Sequence, residues 1–133
     1  MKKVFLGGTC NGSMWRESLI PMLDIDYFNP VVDDCTSECQ DREIRERQVC
    51  DYCLYVITPK MKGVYSIAEV TADSIKRPEK TLFCLLYEYD GLKLDKSQVK
   101  SLDSVARMVE RNGAKVFTSL NDVADFLNHG DEK

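Results

Sequence analysis

Five short apolar runs, at 3–6, 25–28, 53–57, 81–86 and 114–117, constrain the fold of this chain more than any other feature in it. Each is too short for a helix and rich in Val, Phe, Tyr and Ile, the composition of strands buried on both faces. Between the runs, apolar residues recur at helical spacing. Val64, Ile67, Ala68, Thr71 and Ile75 mark one packed stripe, and Val99, Leu102, Ala106 and Val109 a second that ends at Asn112-Gly113. Leu120, Val123, Ala124 and Leu127 form a third behind a cap at Ser119. Parallel strands need crossover connections and both faces of their sheet must be covered, so this alternation predicts a parallel sheet between two helical layers.

The expected architecture is α/β, a flavodoxin-like (Rossmann-like) three-layer sandwich with a five-stranded parallel sheet, all 133 residues forming one domain. Ligands of such sheets sit beyond the carboxyl ends of the strands, where strand order reverses. The loops after the first three strands, 7–13, 29–35 and 58–64, therefore carry the functional expectation.

Composition narrows the chemistry. With 18 Lys+Arg against 22 Asp+Glu the net charge is -4, too little positive charge for a face that binds nucleic acid. No apolar run approaches the roughly 20 residues of a membrane span, and the opening residues reach Gly7-Gly8 too soon for a signal peptide, so a cytoplasmic location is expected. The single histidine, His129, leaves no material for a Ser/His/Asp triad, a Cys/His pair or a multi-histidine metal site. Chemistry must rest on carboxylates, hydroxyls, thiols or backbone. Cys35, Cys39, Cys50 and Cys53 have a spacing a zinc site can use, but Cys53 belongs to a strand. The six cysteines are read instead as buried thiols, with no metal or cofactor expected.

In the first loop Gly8, Gly12 and the backbone around them offer a close approach and amide hydrogens at a helix start, where phosphate or ribose docks. Thr9, Asn11 and Ser13 add polar groups, and Trp15 and Arg16 add stacking and charge. The spacing fits neither a nucleotide-triphosphate loop nor the dinucleotide fingerprint. In the second loop Asn29, Asp33 and Asp34 bring an amide and two carboxylates, suited to a sugar hydroxyl or to turn chemistry around Pro30. After Gly63, helical spacing puts Tyr65, Glu69 and Asp73 on one side, with Ser66 placed to orient Glu69. A dipole near a first turn favours an ionised glutamate, as a nucleophile requires. The helix at 37–50 carries Glu38–Arg42, Asp41–Arg45 and Glu43–Arg47 at pairing distance and reads as a solvated face without function.

Residues 3–15, Tyr27-Phe28-Asn29-Pro30-Val31-Val32, 50–59 and 63–70 together resemble the nucleoside 2-deoxyribosyltransferase-like proteins, over about 3–86. The resemblance implies a flavodoxin-like fold, assembly as a homodimer or larger homo-oligomer, and Glu69 at the position of the catalytic glutamate. It implies 2′-deoxyribosyl transfer between bases through a covalent glutamyl-sugar intermediate, on a small-molecule nucleoside or nucleotide. Hydrolysis of deoxynucleoside monophosphates and nucleotide binding without catalysis are the alternatives. Asp51 matches an aspartate ahead of the third strand of the transferases, and it joins Asp33 and Asp34 as a candidate acid for the leaving base. Where the transferases carry an aspartate shortly before the nucleophile, this chain has Lys60-Met61-Lys62-Gly63.

Overall fold

The computed structural model describes residues 2–31 and 37–129. In chain order the elements are β1 (Lys3–Gly8), α1 (Trp15–Leu19), β2 (Asp26–Phe28), α2 (Ser37–Val49), β3 (Tyr52–Ile57), α3 (Tyr65–Lys76), β4 (Thr81–Leu85), β5 (Glu88–Tyr89), β6 (Leu92–Lys93), α4 (Lys96–Arg111), β7 (Lys115–Phe117) and α5 (Leu120–His129). Five strands form one sheet in the order β2-β1-β3-β4-β7, every pair parallel. Helices cover both faces, giving the three-layer α/β sandwich.

Alternate residues of each strand feed opposite faces. On one, Val4, Leu6, Leu54, Val56 and Leu82 pack with Trp15 and Leu19 of α1 and Val123 and Leu127 of α5. On the other, Phe5, Tyr55, Phe83 and Leu85 meet Val70 of α3 and Leu102 and Val109 of α4. The helix ends follow the local sequence. Asp95 and Gln98 form a reciprocal capping box on α4, and the Asp122 amide donates to Ser119 Oγ at 3.1 Å at the start of α5.

The structure adds one element to the expected set, the antiparallel hairpin of β5 and β6. Its two-residue turn is Asp90-Gly91, both with positive φ, a dipeptide that marks a tight hairpin in sequence. The hairpin has a structural task. Asp90 accepts hydrogen bonds from Ser13 Oγ at 2.5 Å and from the Met14 amide at 2.9 Å, so it closes the entrance to α1.

Gly7-Gly8 serves strand packing before it serves any ligand. A Cβ on Gly8, whose φ is +121°, would stand 2.1 Å from the Val56 carbonyl oxygen. Gly8→Ala is therefore expected to force β1 and β3 apart and to lower stability by about 3 kcal/mol or more, measured as a fall in the urea midpoint with unchanged slope.

Candidate active site

Strand order reverses between β1 and β3, and the loops that leave these strands meet at their carboxyl ends. Two adjoining hollows lie there. One, of about 220 Å³, is lined by Gly7, Gly8, Cys10, Arg16, Pro30, Val31, Glu43, Tyr65, Ser66 and Glu69. The other, of about 260 Å³, is lined by Gln40, Glu43, Ile44, Arg47, Tyr65 and Glu69. They share Glu43, Tyr65 and Glu69. A larger cleft of about 680 Å³ between α3 and α4 is lined by residues such as Ile67, Ala68, Leu102 and Val105 and has no titratable side chain on its walls.

Glu69 is the fifth residue of α3, one turn on from Tyr65, so both point to the same mouth. Its side chain is only 13% exposed, and Oε2 lies 3.4 Å from Arg47 Nη1. Burial is the largest influence on its carboxyl. Arg47 draws the pKa down, Glu43 and Asp73 push it up, and the outcome is a rise from 4.5 to about 7. The expectation of a dipole-stabilised carboxylate in the first turn is thus corrected: Glu69 lies past that turn, and desolvation outweighs the helix field.

Arg47 is itself held from behind. Its Nε and Nη2 donate to Asp73 at 3.2 and 2.9 Å, leaving Nη1 for Glu69. Asp73 is fully buried and also takes hydrogen bonds from the Tyr55 hydroxyl and Arg77. A buried carboxylate with four donors from three residues is a satisfied one, and here it fixes the direction of the guanidinium that faces Glu69.

The structure sorts the candidate residues of the first loop. Gly8, Arg16, Tyr65, Ser66 and Glu69 line the hollow. Trp15 does not offer a stacking face: it is fully buried in the core and its indole donates to the Thr9 carbonyl at 2.8 Å. Arg16, 4% exposed, gives Nε and Nη2 to the Leu6 carbonyl and Nη1 to that of Thr9, which anchors α1 beneath the hollow. Thr9 Oγ1 accepts from the Thr58 amide, and Thr58 Oγ1 donates to Ser13 Oγ. Asn11, with φ 52°, and Gly12 form a tight turn clamped to the third loop, Asn11 Nδ2 donating to Lys60 O and Lys60 Nζ to Gly12 O. Thr9, Asn11, Gly12 and Ser13 therefore join loops instead of lining the hollow. The helix start offered to a phosphate is occupied by Asp90.

Asn29 Oδ1 accepts from the Val31 amide, the turn chemistry of the second loop, while Pro30 and Val31 line the wall. Asp33 and Asp34 lie outside the described residues. Gly63 is exposed with open space around it. Asp51 is separated from Glu69 altogether: it accepts from the Lys3 amide at 2.8 Å, at the amino ends of β1 and β3. Parallel strands put every residue that precedes them at the end away from the hollow.

The residues missed by the sequence reading come from α2. No residue of this helix is buried, and it docks through charged groups: Arg42 over the Phe28 ring at 5.0 Å, Glu46 against Lys3 at 2.9 Å, and Arg47 on Asp73 and Glu69. Its Glu43 and Arg47 face the hollows. The thiol expectation is amended too. Cys50, Cys53 and Cys84 are buried with pKa values pushed up to about 12, first of all by desolvation, but Cys10 is exposed and Cys39 is disulfide-bonded.

A family model described as nucleoside 2-deoxyribosyltransferase like matches residues 1–89. The chain belongs to that family. The matched span runs from β1 through β5 and so contains both hollows together with Glu69, Arg47 and Asp73. β7, α4 and α5 lie beyond it and complete the far edge of the same sheet. Comparison with curated proteins finds no match. At the sheet switch point of this chain a carboxylate, Glu69, and a guanidinium, Arg47, stand side by side. No helix among the described residues is long and apolar enough to cross a membrane.

Proposed function

We propose that the chain acts on the N-glycosidic bond of small 2′-deoxyribonucleosides or their monophosphates, transferring the 2′-deoxyribosyl group between bases. Glu69 is the nucleophile. Its carboxylate bonds to C1′ through an oxocarbenium-like transition state, the base departs, and a second base or water releases the sugar. One observation carries this reading: in a deoxyribosyltransferase-like chain, Glu69 is a carboxylate that faces a hollow at the sheet switch point with an arginine held beside it by a buried aspartate. Ser66 and Tyr65 line the approach, and Tyr65, 72% exposed, presents its ring at the mouth where a base would lie. Assembly as a homodimer or larger homo-oligomer, implied by the family resemblance, belongs to the same proposal.

The test is a product analysis. The protein is incubated with deoxynucleosides, deoxynucleoside monophosphates and ribonucleosides, each with and without a second free base, and the bases and exchanged nucleosides are separated. Exchange products from the deoxy substrates are expected. Free base and sugar without exchange would replace transfer by hydrolysis, because water would then be reaching the sugar ester first. No turnover of any substrate, with saturable nucleotide binding, would reduce the site to a binding module.

A further inference from the structure

We infer that Glu43, from α2, is the acid that protonates the departing base, a second catalytic carboxylate opposite Glu69. The inference rests on the reading of Glu69 as nucleophile. A base that leaves as an anion leaves slowly, so breaking the bond to C1′ calls for a proton at a ring nitrogen in the same step. Asp51 stands at the other end of the sheet. Among the described residues, Glu43 is the other carboxylate on the walls of both hollows, and it shares both with Glu69 and Tyr65.

Its surroundings suit the task. Glu43 is half-buried on the hollow side of α2, and among the described residues the charged groups that face it are Arg47 from its own helix, Arg16 from α1 and Glu69 from α3. Burial raises its carboxyl above the ordinary glutamate value, against the pull of Arg47 and Arg16. Two carboxylates in one hollow titrate as a pair, and Glu69, raised to about 7, is the one that holds a single proton more readily. The reactive form is the less populated of the two singly protonated forms, with the proton on Glu43 and the charge on Glu69, beside Arg47 Nη1.

The steps balance. A Glu69 oxygen bonds to C1′ as the C1′–N bond breaks. Its electron pair stays on the base nitrogen, and the Glu43 proton passes to that atom. In the second half water or the N–H form of an incoming base attacks C1′, its proton goes to the Glu43 carboxylate, and the pair of the sugar ester bond returns to Glu69.

The test compares leaving groups that need a proton with one that does not. Wild type, Glu43→Gln, Glu43→Asp and Glu69→Gln are assayed on 2′-deoxyguanosine, on its 5′-monophosphate and on their N7-methylated forms, whose base departs neutral without protonation. Glu43→Gln should lose about 100-fold or more in kcat/KM on the unmodified substrates and less than about fivefold on the methylated ones, with Glu43→Asp in between. Its pH–rate profile should lose the alkaline limb. Equal losses on both kinds of substrate, or none on either, would overturn the assignment. Glu69→Gln tests the other reading separately, because it should lose both kinds of substrate alike; full turnover by that variant would reject the nucleophile. A wild type inactive on all four substrates would overturn both readings.

Discussion

Replacing Glu69 by glutamine is expected to remove turnover and, in the same molecule, to stabilise the fold. The amide cannot form the sugar ester, so kcat should fall on the order of a thousandfold or more while the hollow keeps its shape. The stability gain follows from the direction of the pKa shift. Glu69 titrates at about 7 in the folded chain against an ordinary 4.5, so the folded state holds the proton more tightly than the unfolded one. Its favourable contribution is fully present below pH 4.5 and is lost as the pH rises through about 7. Above that pH, an ionised Glu69 costs on the order of 2 kcal/mol once its partial exposure is allowed for, and glutamine relieves that cost. Thermal unfolding should therefore show a higher Tm for the variant at pH 8 and no gain at pH 4. The same titration shapes activity. Wild-type kcat/KM should rise about tenfold per pH unit below the Glu69 pKa and fall again on the alkaline side as the acid that serves the leaving base loses its proton. A Glu69→Gln protein that melts below wild type at pH 8 would show that Glu69 is a structural ion pair with Arg47 and not a carboxylate kept ionisable at a cost.

The largest loss of stability is expected from Asp73→Ala. The carboxylate removed is fully buried and serves Arg47, Arg77 and the Tyr55 hydroxyl together. Both guanidiniums are mostly buried, at 13% and 18% side-chain exposure; Arg77 would lose its carboxylate partner and Arg47 would keep only the longer contact to Glu69. Breaking a buried pair from one side costs about 3–5 kcal/mol, a large part of the stability of an ordinary domain. Urea unfolding would read it as a lower midpoint. Asp73→Asn keeps the shape and can still accept from one arginine, so it should lie between wild type and alanine. Activity should fall in step for a separate reason: Arg47 Nη1 is aimed at Glu69 only while Asp73 holds the rest of the guanidinium. An Asp73→Ala protein that kept the wild-type midpoint would mean that the two arginines reach water on their own, and the rigid backing of the site would be lost with that result.

The sheet was legible because its signal is local. The run 53–57 is apolar at every position and 81–86 at every position after Thr81, and only a strand covered on both sides uses such a run. The hairpin of β5 and β6 was announced by Asp90-Gly91, but two strands of two residues each carry no periodicity that a window can detect. Trp15 and Arg16 are a different case. Beside Gly12-Ser13 they read as groups for a ligand, yet α1 turns the indole into the core and spends the guanidinium on the Leu6 and Thr9 carbonyls. Asp51 stood near the third strand in sequence but at its amino end in space.

Helix α2 divides the two levels most clearly. Its charges sit at the spacing of pairs along a solvated helix, and nothing within those thirteen residues separates Arg47 from Arg42 or Arg45. What distinguishes Arg47 is that α3 presents Asp73 and Glu69 to it from 26 and 22 residues further along the chain, on one helical face.

The chain alone determined that a parallel sheet forms, which faces of α4 and α5 pack on it, and that Glu69 stands one helical turn from Tyr65. These are consequences of periodicity and of the need to bury apolar surface, both written into short stretches. The stripe expected on α3 is corrected, since Val64 and Ile75 are exposed and the helix buries Val70, Asp73 and Ser74 instead. Only the tertiary structure decided which charges are taken out of water, and with them the raised pKa of Glu69, the arginine beside it and the carboxylate of Glu43 across the hollow. Desolvation depends on which elements meet, and that is a property of the packed whole.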